Sequence, residues 1–231
     1  MYARESGLRM SNEIDTLIKR GDTRNTIDEP LIAKLKVCLL GDGAVGKTSL
    51  IRRFVEDQFN DDYLLTIGTK TSKKRLIIKR TNPQREFHLT LMIWDIMGQI
   101  SFRKLLHPTY LKGAKGALLV CDLTRKETLE HLDDWIDSLY IEGRVMPSVF
   151  VANKVDLEDQ HVFGKAEFES VASAYDSPFF MTSAKTGENV EKAFQSLGEK
   201  LIDELLANNS FSTSRVKPRF SESAIASNYH Y

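Results

Sequence analysis

Lys34–Thr48 reads KLKVCLLGDGAVGKT. Its first seven residues form an apolar run suited to a buried strand. Lys47–Glu56 behind it has helical spacing, and between them lies Gly41-Asp42-Gly43-Ala44-Val45-Gly46-Lys47-Thr48. A strand, a glycine-rich G-x-x-x-x-G-K-T turn and a helix make a phosphate-binding loop. Its glycines let successive N–H groups point inward at a polyphosphate, and the helix adds its positive N-terminal end. Lys47 is placed to reach the β- and γ-phosphates and Thr48 to offer its hydroxyl to Mg²⁺. The motif selects a nucleoside triphosphate without naming the base.

Outward from this stretch, strand and helix patterns alternate. Thr69–Lys79 and Glu86–Trp94 are β-rich runs joined by RTNPQR, whose Asn82-Pro83 marks a hairpin turn. Gly116–Cys121 (GALLVC) and Ser148–Ala152 (SVFVA) are continuous apolar runs, as for strands covered on both faces. Pro178–Met181 adds a short strand. Helices are expected at Glu127–Tyr140, Gly164–Ala174 and Glu188–Leu206. The alternation implies a mostly parallel sheet with helices on both faces, whose ligand site lies at the carboxyl ends of the strands.

The chain has 231 residues, 42% hydrophobic and 28% charged, enough for one domain with tails. Thirty-two basic residues balance 32 acidic ones, which argues against broad electrostatic capture of nucleic acid or membrane. The expected division is an N-terminal extension over 1–33, a domain over 34–206 and a flexible tail over 207–231. In the extension, Ser11–Lys19 can form a short helix with Ile14, Leu17 and Ile18 on one face and Gly21 beyond its end. Cys38 and Cys121 both sit in apolar runs, which favours a reducing cytoplasmic setting over a disulfide scaffold or cysteine-rich zinc site. No apolar run approaches the 20 residues of a spanning helix.

From about Lys34 to Leu206 the chain resembles the Ras-like small GTPases. GDGAVGKTSL, TIGT, WDIMGQ, NKVD and SAK follow in that family's order and at near-family spacings. Single phrases look most like the Rab and Rho branches, and no branch is assigned. The resemblance implies an α/β, three-layer P-loop NTPase fold: a mostly parallel six-stranded sheet with one antiparallel edge hairpin. It also implies a switch that binds GTP or GDP with Mg²⁺. Such a switch hydrolyses GTP slowly, reorders two loops and works with effectors, an exchange factor and a GTPase-activating protein.

Residue by residue, the resemblance places Gly41 to Ser49 around the phosphates. Asn153, Lys154 and Asp156, with Ser183, Ala184 and Lys185, enclose the base. Asp156 suits guanine because a carboxylate only accepts, and guanine presents a ring N–H and an amine; adenine would leave it unpaired, at a cost of about 1–3 kcal/mol or more. Asn153 would link base and P-loop, the Lys154 stem would cover the ring, and the N–H groups of Ala184 and Lys185 would face the guanine oxygen. Phe59 would pack on the guanine edge and Tyr63 would close over the phosphates. Thr66, 18 residues after Thr48, would join Thr48 and a water-mediated Asp95 around Mg²⁺. Gly98 would sense the γ-phosphate. Lys47, Thr66 and Gln99 would carry catalysis, with Gln99 orienting the attacking water.

The chain departs from the family in four places. Asp95-Ile96-Met97-Gly98-Gln99-Ile100 stands where the family commonly reads Asp-Thr-Ala-Gly-Gln-Glu, so Ile100 replaces an acid that helps exchange factors. The hairpin is several residues longer than usual, with Lys79, Arg80 and Arg85 at a turn read as solvated. No arginine lies between Phe59 and Thr66, so slow hydrolysis and a partner-supplied arginine are expected. No cysteine follows Cys121 and residue 2 is Tyr, so no lipid anchor is expected, with at most weak peripheral membrane contact through Arg215, Lys217 and Arg219. A monomer is expected. The competing readings are a GTP-binding module with negligible hydrolysis and a P-loop kinase for a small molecule.

Overall fold

The computed structural model describes residues 30–60, 66, 68–81, 84–98, 110–141 and 144–213, and side chains within that set except 140–145 and 208–213. The helix expected at Ser11–Lys19, and Tyr63, Gln99 and Ile100, lie outside the described residues.

Eight strands and five α-helices are described: β1 Leu31–Leu40, α1 Lys47–Glu56, β2 Thr69–Thr81, β3 Gln84–Ile96, β4 Ala114–Asp122, α2 Lys126–Glu130, α3 Leu132–Asp137, β5 Tyr140–Ile141, β6 Arg144–Val145, β7 Ser148–Asn153, α4 Lys165–Ser173, β8 Phe179–Thr182 and α5 Val190–Thr213. Six strands form one sheet in the order β2-β3-β1-β4-β7-β8. All neighbours are parallel except β2 and β3, the edge hairpin. This is the expected P-loop architecture.

Alternation along the strands divides the interior into two cores. Leu35, Val37 and Leu39 of β1 face a cluster with α1 and α5, where Phe54 stacks on Phe194 at 3.9 Å between ring centres. Cys38 and Leu40 face the opposite cluster, with Leu132, Trp135 and Phe168 from α2–α4 side. Cys38 and Cys121 are free and buried there, and burial pushes both thiols up, that of Cys38 to about 12. They are packing residues rather than ligands or nucleophiles.

The helix expected over Glu127–Tyr140 is instead two short helices that meet at His131. The apolar stripe was read correctly, since Leu129, Leu132, Trp135, Ile136 and Leu139 are all buried. The break falls at a residue whose ring is drawn to the P-loop. Tyr140 then begins the small β5–β6 hairpin rather than ending a helix. β1 starts at Leu31 and α5 runs on to Thr213, so ordered elements extend past both expected domain limits. The long hairpin is packed along its inner face. Leu76, Ile78, Phe87 and Leu89 lie in the α5 core, and a Cβ on Gly198 would press on Ile78. At its tip Arg80 donates to Asp203 (2.9 Å) and to the Glu199 carbonyl (3.0 Å) on α5, a tether that the solvated-turn reading missed.

Candidate functional site

Four parallel strands end in a buried polar residue at one sheet edge: Asp95 on β3, Asp122 on β4, Asn153 on β7 and Thr182 on β8. Register aligns Asp122 with Asn153 and Asn153 with Thr182. The β1 strand delivers the P-loop to the same edge. Within the P-loop Ala44 and Gly46 take left-handed conformations (φ 63° and 100°). At Gly46 a side chain would also collide with the Asn153 amide, so glycine is required by both conformation and space.

Gly46 caps α1, and the Leu50 N–H closes the first turn on its carbonyl at 2.8 Å. Lys47 is buried inside the loop and donates to the Gly41 and Asp42 carbonyls (2.8 and 2.7 Å). Burial pushes its ammonium down to about 8, while Asp95 and Asp42 pull upward. A cation kept dry among carbonyls is poised for an anion. A Cβ on Gly98 would run into Lys47 Nζ and the Asp42 carbonyl, so the second loop approaches the phosphate side of the P-loop through a glycine. Ser49 is half-buried in the first turn of α1.

Thr48, Thr66 and Asp95 converge. Thr48 Oγ1 lies 3.1 Å from Thr66 Oγ1 and donates to Asp95 Oδ2 at 2.5 Å. Asp95 Oδ1 is buried without a hydrogen-bond partner. Burial raises the Asp95 carboxyl, against the pull of Thr48 and Lys47. A buried, orphaned carboxylate oxygen beside two hydroxyls fits a hard divalent cation with oxygen ligands. Among the described residues no cluster of three or more His, Cys, Asp or Glu offers another metal site.

The other end is a dense side-chain network. Asn153 Nδ2 donates to the Val45 carbonyl (3.0 Å), and its Oδ1 accepts from Thr182 Oγ1 (3.2 Å) and the Ala184 N–H (3.1 Å). The link from Asn153 to the P-loop is as expected. The Ala184 N–H, expected to face a base, is held by Asn153. Ser183 Oγ donates to Asp156 Oδ1 at 2.5 Å and fixes the orientation of that carboxylate. Lys154 adopts a left-handed conformation (φ 71°) and sends its ammonium to Asp122 Oδ2 at 2.6 Å. Phe59 is half-buried against the edge of the α5 core.

Five positioning residues escaped the sequence reading. Asp122 ties the two loops together: it holds Lys154, accepts from Arg125 Nε (3.0 Å), and Arg125 Nη2 reaches the Gly43 carbonyl (2.9 Å). Burial pushes the Asp122 carboxyl up, but Lys154 and Thr124 outweigh it and hold it below the usual range. Asp42 turns its carboxylate away from the loop's mouth onto Trp135 Nε1 (2.9 Å) and His131 Nδ1 (2.6 Å). Arg53 of α1 donates to the Ala184 and Lys185 carbonyls (3.0 and 2.5 Å), clamping the SAK loop. Asp122 had a readable signal, an acid directly after the apolar run Gly116–Cys121. The partners of His131, Trp135 and Arg53 are 89 to 132 residues distant in sequence, and no local pattern announces them.

The Ras family model matches residues 36–203. The chain belongs to the Ras family. It is 34% identical over 171 residues to Ras-related protein Rab-27B of Homo sapiens, covering 71% of this chain and 77% of that one. It is likewise 34% identical to Ras-related protein Rab7 of Drosophila melanogaster (73% and 81% covered) and 33% identical to Ras-related protein Rab-18-B of Danio rerio (76% and 83% covered). The chain is thus a Ras-like small GTPase, and the matched span contains all the motifs that suggested it. Among the described residues no helix is long and apolar enough to cross a membrane.

Proposed function

We propose that this protein is a molecular switch that binds GTP or GDP with Mg²⁺, hydrolyses GTP slowly to GDP and phosphate, and presents nucleotide-dependent loops to effectors. The observation that carries the reading is the pairing of two half-sites on one sheet edge. Lys47, Thr48, Thr66 and Asp95 form the phosphate and metal half; Asn153, Asp156 and Ser183 form the base half.

Asp156 accepts from the guanine ring N–H and amine, and Ser183 keeps its carboxylate aimed. Lys47 and the P-loop amides hold the phosphates. Thr48, Thr66 and Asp95 would hold the metal. Bound Mg²⁺ neutralises phosphate charge. Gln99 orients the water that attacks the γ-phosphorus, and Gly98 lets its backbone meet the γ-phosphate. Loss of that phosphate releases both loops, an order–disorder switch.

Among the described residues Arg125 meets the P-loop, but it spends Nε on Asp122 and Nη2 on the Gly43 carbonyl. A charge-neutralising arginine is therefore expected from a partner, where it is worth about 10³–10⁵ in rate. Buried free cysteines suit a reducing compartment, and the cytoplasm is the proposed location. Single-turnover hydrolysis of bound GTP tests the enzymatic part. Slow turnover that falls further in Gln99→Leu supports a GTPase; no turnover in either protein makes the chain a GTP-binding module instead.

A further inference from the structure

The outer face of the hairpin and β1, opposite the α5 core, carries an unusual row. Ile32 of β1 pairs with His88 of β3, and His88 pairs with Ile77 of β2, so the three side chains stand side by side. Ile32 is 65% exposed and Ile77 52% exposed, two of the three large apolar side chains so exposed among the described residues. The next rows toward the nucleotide edge are Lys34–Thr90–Arg75 and Lys36–Met92–Lys73. The third, Cys38–Trp94–Thr71, lies beside a backbone segment that Lys36 holds through the Tyr110 and Lys112 carbonyls. The open part of the face therefore carries the exposed Ile32 and Ile77 on either side of His88, which pairs with Glu86, and the half-buried Met92 two rows on, with the exposed cations Lys34, Lys73 and Arg75 beside them.

We infer that this face is the docking surface for the chain's own residues 1–29, with the amphipathic stretch Ser11–Lys19 laid across it. Four observations select that occupant. The segment enters β1 at the face's own edge, one residue before Ile32. Its candidate apolar stripe, Ile14, Leu17 and Ile18, is bordered by Glu13 and Asp15, which complement the flanking cations. A nine-residue helix is about 13 Å long at 1.5 Å per residue, and the rows from Ile32 to Lys36 span about 13 Å at 3.3 Å per residue. The residues between Lys19 and Leu31 reach about 40 Å when extended, ample for the chain to double back.

The test is amine acetylation of the full-length protein, read lysine by lysine by mass spectrometry. It is done in the wild type and in the double variant Leu17→Asp/Ile18→Asp, whose changes fall outside the described core. Lys34 and Lys73 should react several-fold faster in the variant, with Lys165 and Lys192 on α4 and α5 unchanged. Ile77→Asp in the full chain should release the same two lysines. Equal rates at Lys34 and Lys73 in all three proteins overturn the inference. Protection that grows with protein concentration also overturns it, because a second copy would then be the occupant.

Discussion

The two ends of the nucleotide site are built differently. At the base end each named polar group has a protein partner: Asn153 holds Val45, Thr182 and Ala184, Ser183 holds Asp156, Asp122 holds Lys154, and Arg53 clamps the loop behind them. At the phosphate end the same fold keeps charges under stress. Lys47 is a buried cation pushed down to about 8, and Asp95 is a buried carboxylate pushed up with one oxygen orphaned. The base end is thus preorganised for selection, while the phosphate end stores unfavourable electrostatics that only an anion and a cation relieve. This is the physical basis expected of a switch: one end grips in every state, and the other responds to what is bound.

Breaking the base end gives the largest expected effect. Asp156→Asn removes two charge-assisted hydrogen bonds to guanine, each worth about 1.5–3 kcal/mol, and GTP affinity falls by roughly 10²-fold or more. The amide pairs instead with a base carrying a carbonyl in place of the amine. Competition binding should therefore show xanthosine triphosphate gaining while GTP loses. Equal losses for both would mean that Asp156 does not read the base.

The stress at Lys47 makes a pH prediction of the next size. Its folded-state value lies below its unfolded one, so the fold disfavours the charged form. The cost to the nucleotide-free protein is full below pH 8 and fades as pH rises toward 10.5. Polyphosphate binding needs the charged form. Nucleotide affinity should be level up to about pH 8 and then fall, by as much as about tenfold per pH unit. Calorimetric titrations with GDP between pH 7 and 9 would show this as proton uptake on binding. A flat profile without proton uptake would mean that Lys47 is not stressed.

The smallest effect concerns Asp95. Its folded-state value is raised, so its contribution is favourable below the ordinary carboxylate range and is lost as pH climbs through the folded value. Asp95→Asn removes a buried charge whose burial cost outweighs the pull of Lys47 and Thr48. It should raise the melting temperature of the nucleotide-free protein at pH 7 by roughly 2–4 °C and abolish the further rise that Mg²⁺ gives the nucleotide complex. A lower melting temperature would mean that the bond from Thr48 outweighs the burial cost.

The sheet and the site's strand-end residues were legible because each depends on local pattern. The helix Lys47–Glu56 is legible at its actual limits from its spacing behind the P-loop. Asp95 and Asn153 were read because they end apolar strands inside recognisable motifs. Asp122 ends one too but lies outside the GDGAVGKTSL, TIGT, WDIMGQ, NKVD and SAK motifs. The break at His131 was illegible: no glycine or proline marks it, and the ring's contact with Asp42 on the P-loop exists only in the folded chain. The hairpin was seen to be long, but its length is explained by α5 beneath it and by Asp203, which follows it by more than 100 residues.

The proposed function requires one pocket in which the P-loop and Lys47 hold a polyphosphate while Asp156 reads a purine. The most direct test is competition binding of the full-length protein, stripped of nucleotide, against GTP, ATP, CTP and UTP with Mg²⁺. GTP bound orders of magnitude more tightly than the other three is the predicted result; comparable affinities, or a preference for ATP, would contradict it.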